Sequence, residues 1–398
     1  MRQMAVLICI LAAVTAISGC GGENLPVRET CREMDLKAET KENTREADTK
    51  AAELGLEAYQ NAEKMAASDP IHQMKSIVEQ FGNSGYAAVD SLNQIDMANP
   101  VQVIEFCQNV EKKNADQLTL IEIRYPDGLA VYDFQTGNGT ENSNVQVKKR
   151  YYEYKDGEMR LADAGSFTAE NWKYWENEYL MFSGVYFSEE SYALTLSGEE
   201  EYKAFRIQPL PEVCRELNRA YILPIGYEYN NLFITDWTEN AYGELNFYDL
   251  YDQFCMQMGH PYVPEGSYKS SPDCECYRIP ADAFEQVIQS HFRVSKEVLH
   301  EKAEYYPEDD TYGYRPRGFQ DMEYSEYPYP EVTKVSEHAD GTITLTVHAV
   351  FPYRGLSKVY AHDVTIRPFA DGSFQYVSNH IRASEGNYEI TWHTPRGN

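Results

Sequence analysis

Apolar residues alternate with polar ones in two separate parts of this chain, and Asp-Gly pairs interrupt the alternation. Residues 118–125 and 129–134 alternate around Pro126-Asp127-Gly128, which predicts a β-hairpin. A second hairpin is predicted from 145–155 and 158–162, which Asp156-Gly157 joins. Further strands are expected at 179–187, 192–196 and 232–234. This part of the chain must therefore build a sheet.

The second alternating part closes the chain. It predicts a meander of four strands at 331–337, 342–351, 359–368 and 373–381. Asp340-Gly341 and Asp371-Gly372 supply two of its turns. In both parts, segments of helical period come before the strands, and these segments are 51–67, 70–81, 99–110, 211–220, 247–258, 279–292 and 295–299.

Helices followed by antiparallel strands in each half indicate an α+β protein. At residues 259–276 the composition shifts to Gly, Pro, Ser and Tyr, which is typical of a boundary. We therefore predict a first α+β domain at 51–258, a linker at 259–278 and a second α+β domain at 279–398. In the second domain a helix with a curved antiparallel sheet is expected, a shape like that of the cystatin or NTF2-like folds.

The first residues have the pattern of an export signal. Arg2 precedes an apolar run from 4 to 17, which is too short to span a membrane. Residues 17–20, Ile-Ser-Gly-Cys, resemble the lipobox of bacterial lipoproteins. The resemblance implies that 1–19 is a removed signal peptide and that Cys20 carries acyl chains such as palmitate. Residues 20–50, dense in both charge signs, would be a tether. An ordinary secretory signal is the alternative.

The charge balance limits the partners. The chain has 63 acidic and 35 basic residues, a formal net charge of −28. A surface this negative argues against nucleic acid and against anionic lipid head groups as partners. The expected membrane contact is therefore the lipid at Cys20, on the extracytoplasmic face of the cell membrane. A cationic partner or a divalent metal stays open.

Cysteines outside the cytoplasm are free to form disulfides. Six remain after Cys9 and Cys20 are set aside, and these are Cys31, Cys107, Cys214, Cys255, Cys274 and Cys276. The simplest pairing joins Cys255 to the loop that holds Cys274 and Cys276. Free buried thiols are the alternative, and the spacing disfavours a zinc site.

Sequence motifs for nucleophilic, phosphate-binding and metal chemistry are missing from the chain. His300-Glu301 begins a His-Glu-x-x-His motif, but Glu304 stands in the place of the second His. His348, His362 and His380 fall on three neighbouring predicted strands, although the alternation puts His348 and His362 on different faces. The sequence therefore predicts no catalytic residue, no metal site and no cofactor.

Aromatic and acidic residues cluster instead. The chain has 32 Tyr and 16 Phe, and exposed rings stack on sugar faces while carboxylates accept hydroxyl hydrogen bonds. The candidate ligand-binding residues are Trp172, Trp175, Trp237 and Tyr251. Acidic neighbours and further rings accompany them at 248–252 and in the loop from 305 to 329. The alternative is that Tyr simply packs at sheet edges.

The C-terminal half resembles a known family. The segments that carry the resemblance are FE, VI and F within 284–292, YGYRPRG at 312–318, PEV at 330–332, DGTITLTV at 340–347 and GSFQYVSN at 372–379. They are similar to an uncharacterised lipoprotein family of gut Gram-positive bacteria that has only a domain-of-unknown-function label. The resemblance implies anchoring at the cell surface and implies no activity, ligand or site.

Three functions are consistent with these observations. The first is an exported, lipid-anchored, non-catalytic protein with a structural or interaction role in the envelope, which predicts no deep polar pocket. The alternative is a surface module that binds a glycan or a peptide in a groove floored by Tyr or Trp near residues 259–278. A carboxylate-dependent hydrolase comes third, because it would need two carboxylates about 5 to 9.5 Å apart across a sugar.

Overall fold

The computed structural model describes residues 50–66, 69–137, 145–175, 178–189, 198–272, 275–317, 326–382 and Arg396. The predicted signal peptide, Cys20, the tether up to residue 49 and the predicted strand at 192–196 lie outside these ranges. The chain falls into two compact units, and the second of them is Ala52–Asn398.

Seven α-helices occur among the described residues. They are α1 (50–63), α2 (Pro70–Asn83), α3 (Pro100–Glu111), α4 (Glu212–Leu217), α5 (Phe247–Met258), α6 (Ala281–Gln289) and α7 (Lys296–Lys302). Local capping explains several starts: Asp69 accepts a hydrogen bond from the His72 N–H, with Pro70 at the first helical position. Asn246 caps α5 in the same way.

An eight-stranded sheet forms the first half of the fold. Its strands are β1 (Ala87–Asp90), β2 (Asp116–Arg124), β3 (Gly128–Thr136), β4 (Gln146–Lys155), β5 (Glu158–Thr168), β6 (Glu170–Tyr174), β7 (Tyr179–Ser188) and β8 (Glu199–Arg206). They follow the order β1-β2-β3-β4-β5-β7-β6, with β8 also on β7. Both predicted hairpins are confirmed as β2–β3 and β4–β5. Only the β1–β2 pair is parallel among these described strands.

A five-stranded sheet contains the predicted meander. Its strands are β14 (Tyr329–Glu337), β15 (Ile343–Phe351), β16 (Leu356–Pro368), β17 (Phe374–Arg382) and, at the edge, β9 (Trp237–Thr238). The strand predicted at 232–234 is wrong, because these residues form a turn. Asn230 accepts from the Leu232 N–H, and the Trp237 indole donates to the Leu232 carbonyl, so side chains satisfy this backbone locally.

A small four-stranded sheet lies between these two in sequence. It consists of β10 (Tyr268–Lys269), β11 (Tyr277–Pro280), β12 (Tyr305–Tyr306) and β13 (Thr311–Tyr314) in the order β10-β11-β13-β12. The composition predicted only linker and loop for most of these residues. The α+β class is confirmed, and one of the antiparallel sheets is strongly curled.

Two large apolar clusters stabilise the unit. One packs α3 on the eight-stranded sheet, with Val103 and Phe106 against Leu120 and Phe134. The other joins α5 and α6 to the five-stranded sheet and includes Leu250, Phe284, Val347 and Tyr376. This second cluster draws side chains from both sides of the predicted linker at 259–278, and the two-domain boundary stays a prediction.

The cysteines do not form the expected pair. Cys107, Cys214 and Cys255 are free and buried, while Cys276 is in a disulfide. The predicted bridge from Cys255 is therefore wrong. Cys255 lies on the buried side of α5, inside the second apolar cluster. Cys31 and Cys274 lie outside the described residues.

Candidate functional site

A cavity of about 440 Å³ opens at one end of the small sheet, where β11 begins and β13 ends. Four tyrosines and three arginines dominate its wall. We call it the Tyr-Arg pocket, and its lining residues are Asn246, Tyr248, Ser270, Cys276, Tyr277, Arg278, Glu304, Tyr306, Gly313, Tyr314, Arg315 and Arg396. A second cavity, between α5 and α6, has about 180 Å³.

Strand register brings the lining residues together. In the antiparallel pair β11–β13, Tyr277 is opposite Tyr314 and Arg278 is opposite Gly313. The first turn of α5 contributes Tyr248, whose hydroxyl accepts the Glu304 N–H at 2.8 Å. The pocket therefore assembles residues that are widely separated in sequence on a backbone fixed by ladder hydrogen bonds.

Arg278 has unused hydrogen-bonding capacity. Its guanidinium lies over the Tyr306 ring in a cation–π contact, and 18% of its side chain is exposed. The Nη1 atom is 3.8 Å from Asp309 Oδ1 and 3.9 Å from Glu308 Oε1, which is too far for a hydrogen bond. Among the described residues this buried atom has no hydrogen-bond partner. Arg278 is therefore held by stacking and by ionic attraction, without a hydrogen bond from Nη1.

Glu304 lies in the pocket beside a glycine that makes room for it. The Tyr306 hydroxyl donates to the Glu304 carboxylate. A Cβ added to Gly313 would come within 2.5 Å of Glu304 Oε2 and 3.1 Å of Tyr306 Cε2. Glu304 is itself exposed, so its carboxylate is available to accept hydrogen bonds from a ligand. It is the one carboxylate among the described lining residues.

Arg396 serves the architecture of the pocket. Its Nε donates to Asp249 Oδ1 at 2.9 Å, its Nη1 donates to the Arg315 carbonyl at 2.6 Å, and its Nη2 donates to Asp252. Arg317 also pairs with Asp249, at 2.9 Å. Burial raises the pKa of Asp252, and Arg396 opposes that shift. These contacts fix the wall against α5 and leave Arg396 little capacity for a ligand.

The pocket tyrosines are neutral at physiological pH. Burial raises the pKa of Tyr248 to about 12 and raises that of Tyr314 as well. Hydrogen bonds to Glu275 and Glu304 raise the pKa values of Tyr277 and Tyr306, respectively. Each ring therefore offers an uncharged aromatic face, and any hydroxyl left open to the cavity can hydrogen-bond a polar ligand.

The lining has the opposite charge balance from the whole chain. Three arginines, Arg278, Arg315 and Arg396, accompany one carboxylate, Glu304, while the chain has a net charge of −28. Asp249 and Asp252 of α5 neutralise the charge of Arg396 through ion pairs. Glu308 and Asp309 lie beside Arg278 in turn, and the pocket is thus an aromatic, arginine-lined cavity in an acidic protein.

The four aromatic residues singled out by sequence do not meet in one groove. Trp237 and Tyr251 are 3% and 1% exposed inside the second apolar cluster. Trp172 packs against Phe106, Phe134 and Phe182 in the first cluster. Trp175 packs beside Tyr179 and Val350. None of the four lines the Tyr-Arg pocket.

Some of the accompanying residues do line it. Tyr248 belongs to the predicted cluster at 248–252, and Tyr306 and Tyr314 belong to the loop from 305 to 329. Arg278 and Tyr277 were missed, because they fall in the predicted linker. The sequence feature that could have pointed to them is the density of Tyr around residues 262–277. We interpreted that composition as a loop rather than a strand.

The three histidines do not converge. Val347 is opposite His362 while His348 is opposite Ala361, which confirms that His348 and His362 point to different faces. His362 is buried between Asn379 and Tyr227, and His380 is exposed beside Asp236. Within the described ranges no group of three or more His, Cys, Asp or Glu is arranged to hold a metal ion.

Neither the helices nor the comparisons with known proteins assign an activity. No helix of the described part of the chain is long and apolar enough to cross a membrane. No curated protein and no solved structure matches the chain. One family model does match, and it covers residues 41–396. The chain therefore belongs to the family of unknown function DUF6070.

Proposed function

We propose that this chain is an exported, lipid-anchored surface protein that binds a glycan in the Tyr-Arg pocket and does not transform it. The single observation that carries the binding role is the pocket itself. Four tyrosines and an arginine whose Nη1 lacks a hydrogen-bond partner line a cavity of about 440 Å³. That volume lies within the roughly 300–1,000 Å³ that is usual for small-molecule sites. A purely structural envelope protein, the first expectation from sequence, would need no such cavity.

The chemistry of the lining suits a sugar. Tyr248, Tyr277 and Tyr306 are half-buried, so part of each ring is available for packing against a sugar face. Glu304 and the amide of Asn246 supply acceptors and donors for hydroxyl groups. The position also fits the groove expected near residues 259–278, because Ser270, Tyr277 and Arg278 come from that segment or its edge.

The cellular location is part of the proposal and rests on residues 1–22 alone. A lipid at Cys20 would hold the protein on the extracytoplasmic face of the cell membrane. Replacing Cys20 with Ala should then remove the acyl chains and leave the signal peptide uncleaved, so that the mass of the protein changes. A Cys20→Ala protein that stays in the membrane at an unchanged mass would contradict this anchoring.

The binding role is tested by a screen of glycans and cell-wall fragments against the purified chain from residue 21 onward. A ligand that binds the native state raises the melting temperature by mass action, so millimolar concentrations reveal even modest affinity. We expect a glycan to raise it, and we expect Tyr277→Ala to weaken binding by about tenfold or more, as loss of a stacking ring does.

Tyr262→Ala is the matched control, because Tyr262 is 42% exposed and does not line the pocket. This variant should bind like the parent chain. Hits confined to peptides would move the proposal to peptide binding. A flat screen with a cooperative melt would refute ligand binding and favour a structural or protein-interaction role in the envelope.

A further inference from the structure

We infer that the Tyr-Arg pocket selects acidic glycans and that Arg278 binds their carboxylate group. This inference rests on the proposed function and adds the class of ligand. The site would take a sugar that carries a carboxylate on or beside its ring, in preference to the neutral sugar of the same shape.

The first step of the argument is the state of Arg278. Buried donors of folded proteins are nearly always hydrogen-bonded, and Arg278 Nη1 is an exception among the described residues. Glu308 and Asp309 are 3.9 Å and 3.8 Å away, so they attract the cation without accepting its hydrogen bonds. A ligand carboxylate that draws the guanidinium toward the cavity gains charge-assisted bonds that the free protein lacks.

The second step is preorganisation. Stacking on the Tyr306 ring holds the guanidinium plane, and the Tyr306 hydroxyl is itself held by Glu304. A planar guanidinium whose face is covered keeps its N–H edges for a planar partner, and carboxylate is the partner that matches this fork. Little side-chain entropy remains to be lost when such a ligand binds.

The third step is electrostatic. A chain with a net charge of −28 repels anions over most of its surface, so an anionic ligand requires a locally cationic wall. The lining provides it through Arg278, which Glu308 and Asp309 attract without taking up its hydrogen bonds. Glu304 repels a carboxylate from its own side, which orients the ligand with its carboxylate at Arg278 and its hydroxyl groups toward Glu304.

The experiment compares acidic sugars with their neutral counterparts. N-acetylmuramic acid is paired with N-acetylglucosamine, and glucuronic acid is paired with glucose, in calorimetric or NMR titrations at a fixed low salt concentration. We expect each acid to bind about tenfold or more tightly than its neutral partner, with a preference that shrinks as salt is added. Glucose 6-phosphate is the third arm, and tighter binding of the phosphate than of either acid would overturn the carboxylate assignment.

Two variants locate the effect. Arg278→Gln should reduce the acid preference to within about twofold while neutral sugars still bind, because the stacking rings remain. Arg278→Lys should keep part of the acid preference and lose the bidentate geometry. This variant replaces Arg278→Gln in the test if the Gln variant fails to fold. Arg160→Gln is the control, because Arg160 is an exposed arginine paired with Glu158 outside the pocket.

The two proposals fail differently. If neutral and acidic sugars bind equally, or if Arg278→Gln keeps the full acid preference, the inference is wrong and glycan binding stands. If none of these sugars nor any glycan of the wider screen binds, both proposals are wrong.

Discussion

His362 is a buried histidine, and its hydrogen-bond partners determine which ring nitrogen carries the proton. Its Nδ1 is 2.7 Å from Asn379 Oδ1, and its Nε2 is 2.9 Å from the Tyr227 hydroxyl. Because the Asn379 amide donates to the Thr235 carbonyl, its oxygen faces the ring and accepts from Nδ1–H. Tyr227 then donates to Nε2, and the imidazole is neutral. Sequence reasoning identified the histidine and its face, but it could not identify these partners, which lie 17 and 135 residues away.

This environment predicts acid sensitivity. Burial lowers the pKa of His362 to about 4, and burial lowers the pKa of His348 to about 4 as well. In the unfolded chain both side chains titrate near about 6.5, so between these values the unfolded state binds more protons. The free energy of unfolding should therefore fall as the pH is lowered from about 6.5 to about 4.

Urea denaturation at a series of pH values measures this dependence. His348→Gln should remove about half of the histidine contribution to the slope in that window. A histidine contribution that His348→Gln leaves unchanged would contradict the assignment of lowered pKa values.

At the scale of elements, charged side chains from β2, β4 and β8 form a buried cluster with the hydroxyl of a tyrosine from β3. Glu122 pairs with Lys203 at 2.8 Å and with Arg124 at 2.7 Å. Glu201 pairs with Lys149 at 2.7 Å, and the Tyr132 hydroxyl donates to it. Burial alone would raise the pKa of Glu122, but Lys203 and Arg124 lower it to about 2. The cluster links strands that are distant in sequence.

Breaking this cluster should be costly. Glu122→Gln removes the buried carboxylate that Lys203 and Arg124 share. We expect the free energy of unfolding to fall by about 3 kcal/mol. Equilibrium denaturation in urea measures the loss. Glu158→Gln, which breaks the exposed pair with Arg160, is the control and should leave stability unchanged. Equal effects in the two variants would contradict this account.

The elements also show how far the sequence could be interpreted. Both hairpins and the meander were predicted, because long alternation and Asp-Gly turns act locally. The small sheet was missed, since β10 and β12 have two residues each and β11 and β13 have four, too few for a period to appear. The pocket was therefore foreseen only through Tyr248, Tyr306 and Tyr314, and its key cation Arg278 was not.

At the scale of the whole molecule, polar and apolar contacts connect the two predicted domains. Arg206 of β8 pairs with Glu331 of β14 at 2.6 Å, and both side chains are buried. The Tyr179 hydroxyl donates to the same carboxylate at 2.7 Å. Together with the apolar contacts among Tyr179, Met181, Ala204 and Val350, these contacts couple the eight-stranded sheet to the five-stranded sheet.

We therefore expect residues 52–398 to unfold in one cooperative transition. Differential scanning calorimetry tests this, since the calorimetric and van't Hoff enthalpies agree only for a two-state transition. Two resolved transitions, together with a proteolytic cut between residues 259 and 278, would instead support the two-domain boundary.

The edge strand β9 has a consequence for the order of events during synthesis. Trp237 pairs with Asn379, so its strand partner is translated 142 residues later (379 − 237). Until then Leu232, Phe254 and their neighbours in the second apolar cluster have no sheet to cover them. Translation proceeds at about 5–20 residues per second. The growing chain must therefore keep this apolar segment soluble for several seconds. The yield of the native protein would then depend on how long this apolar segment stays uncovered before β17 is made.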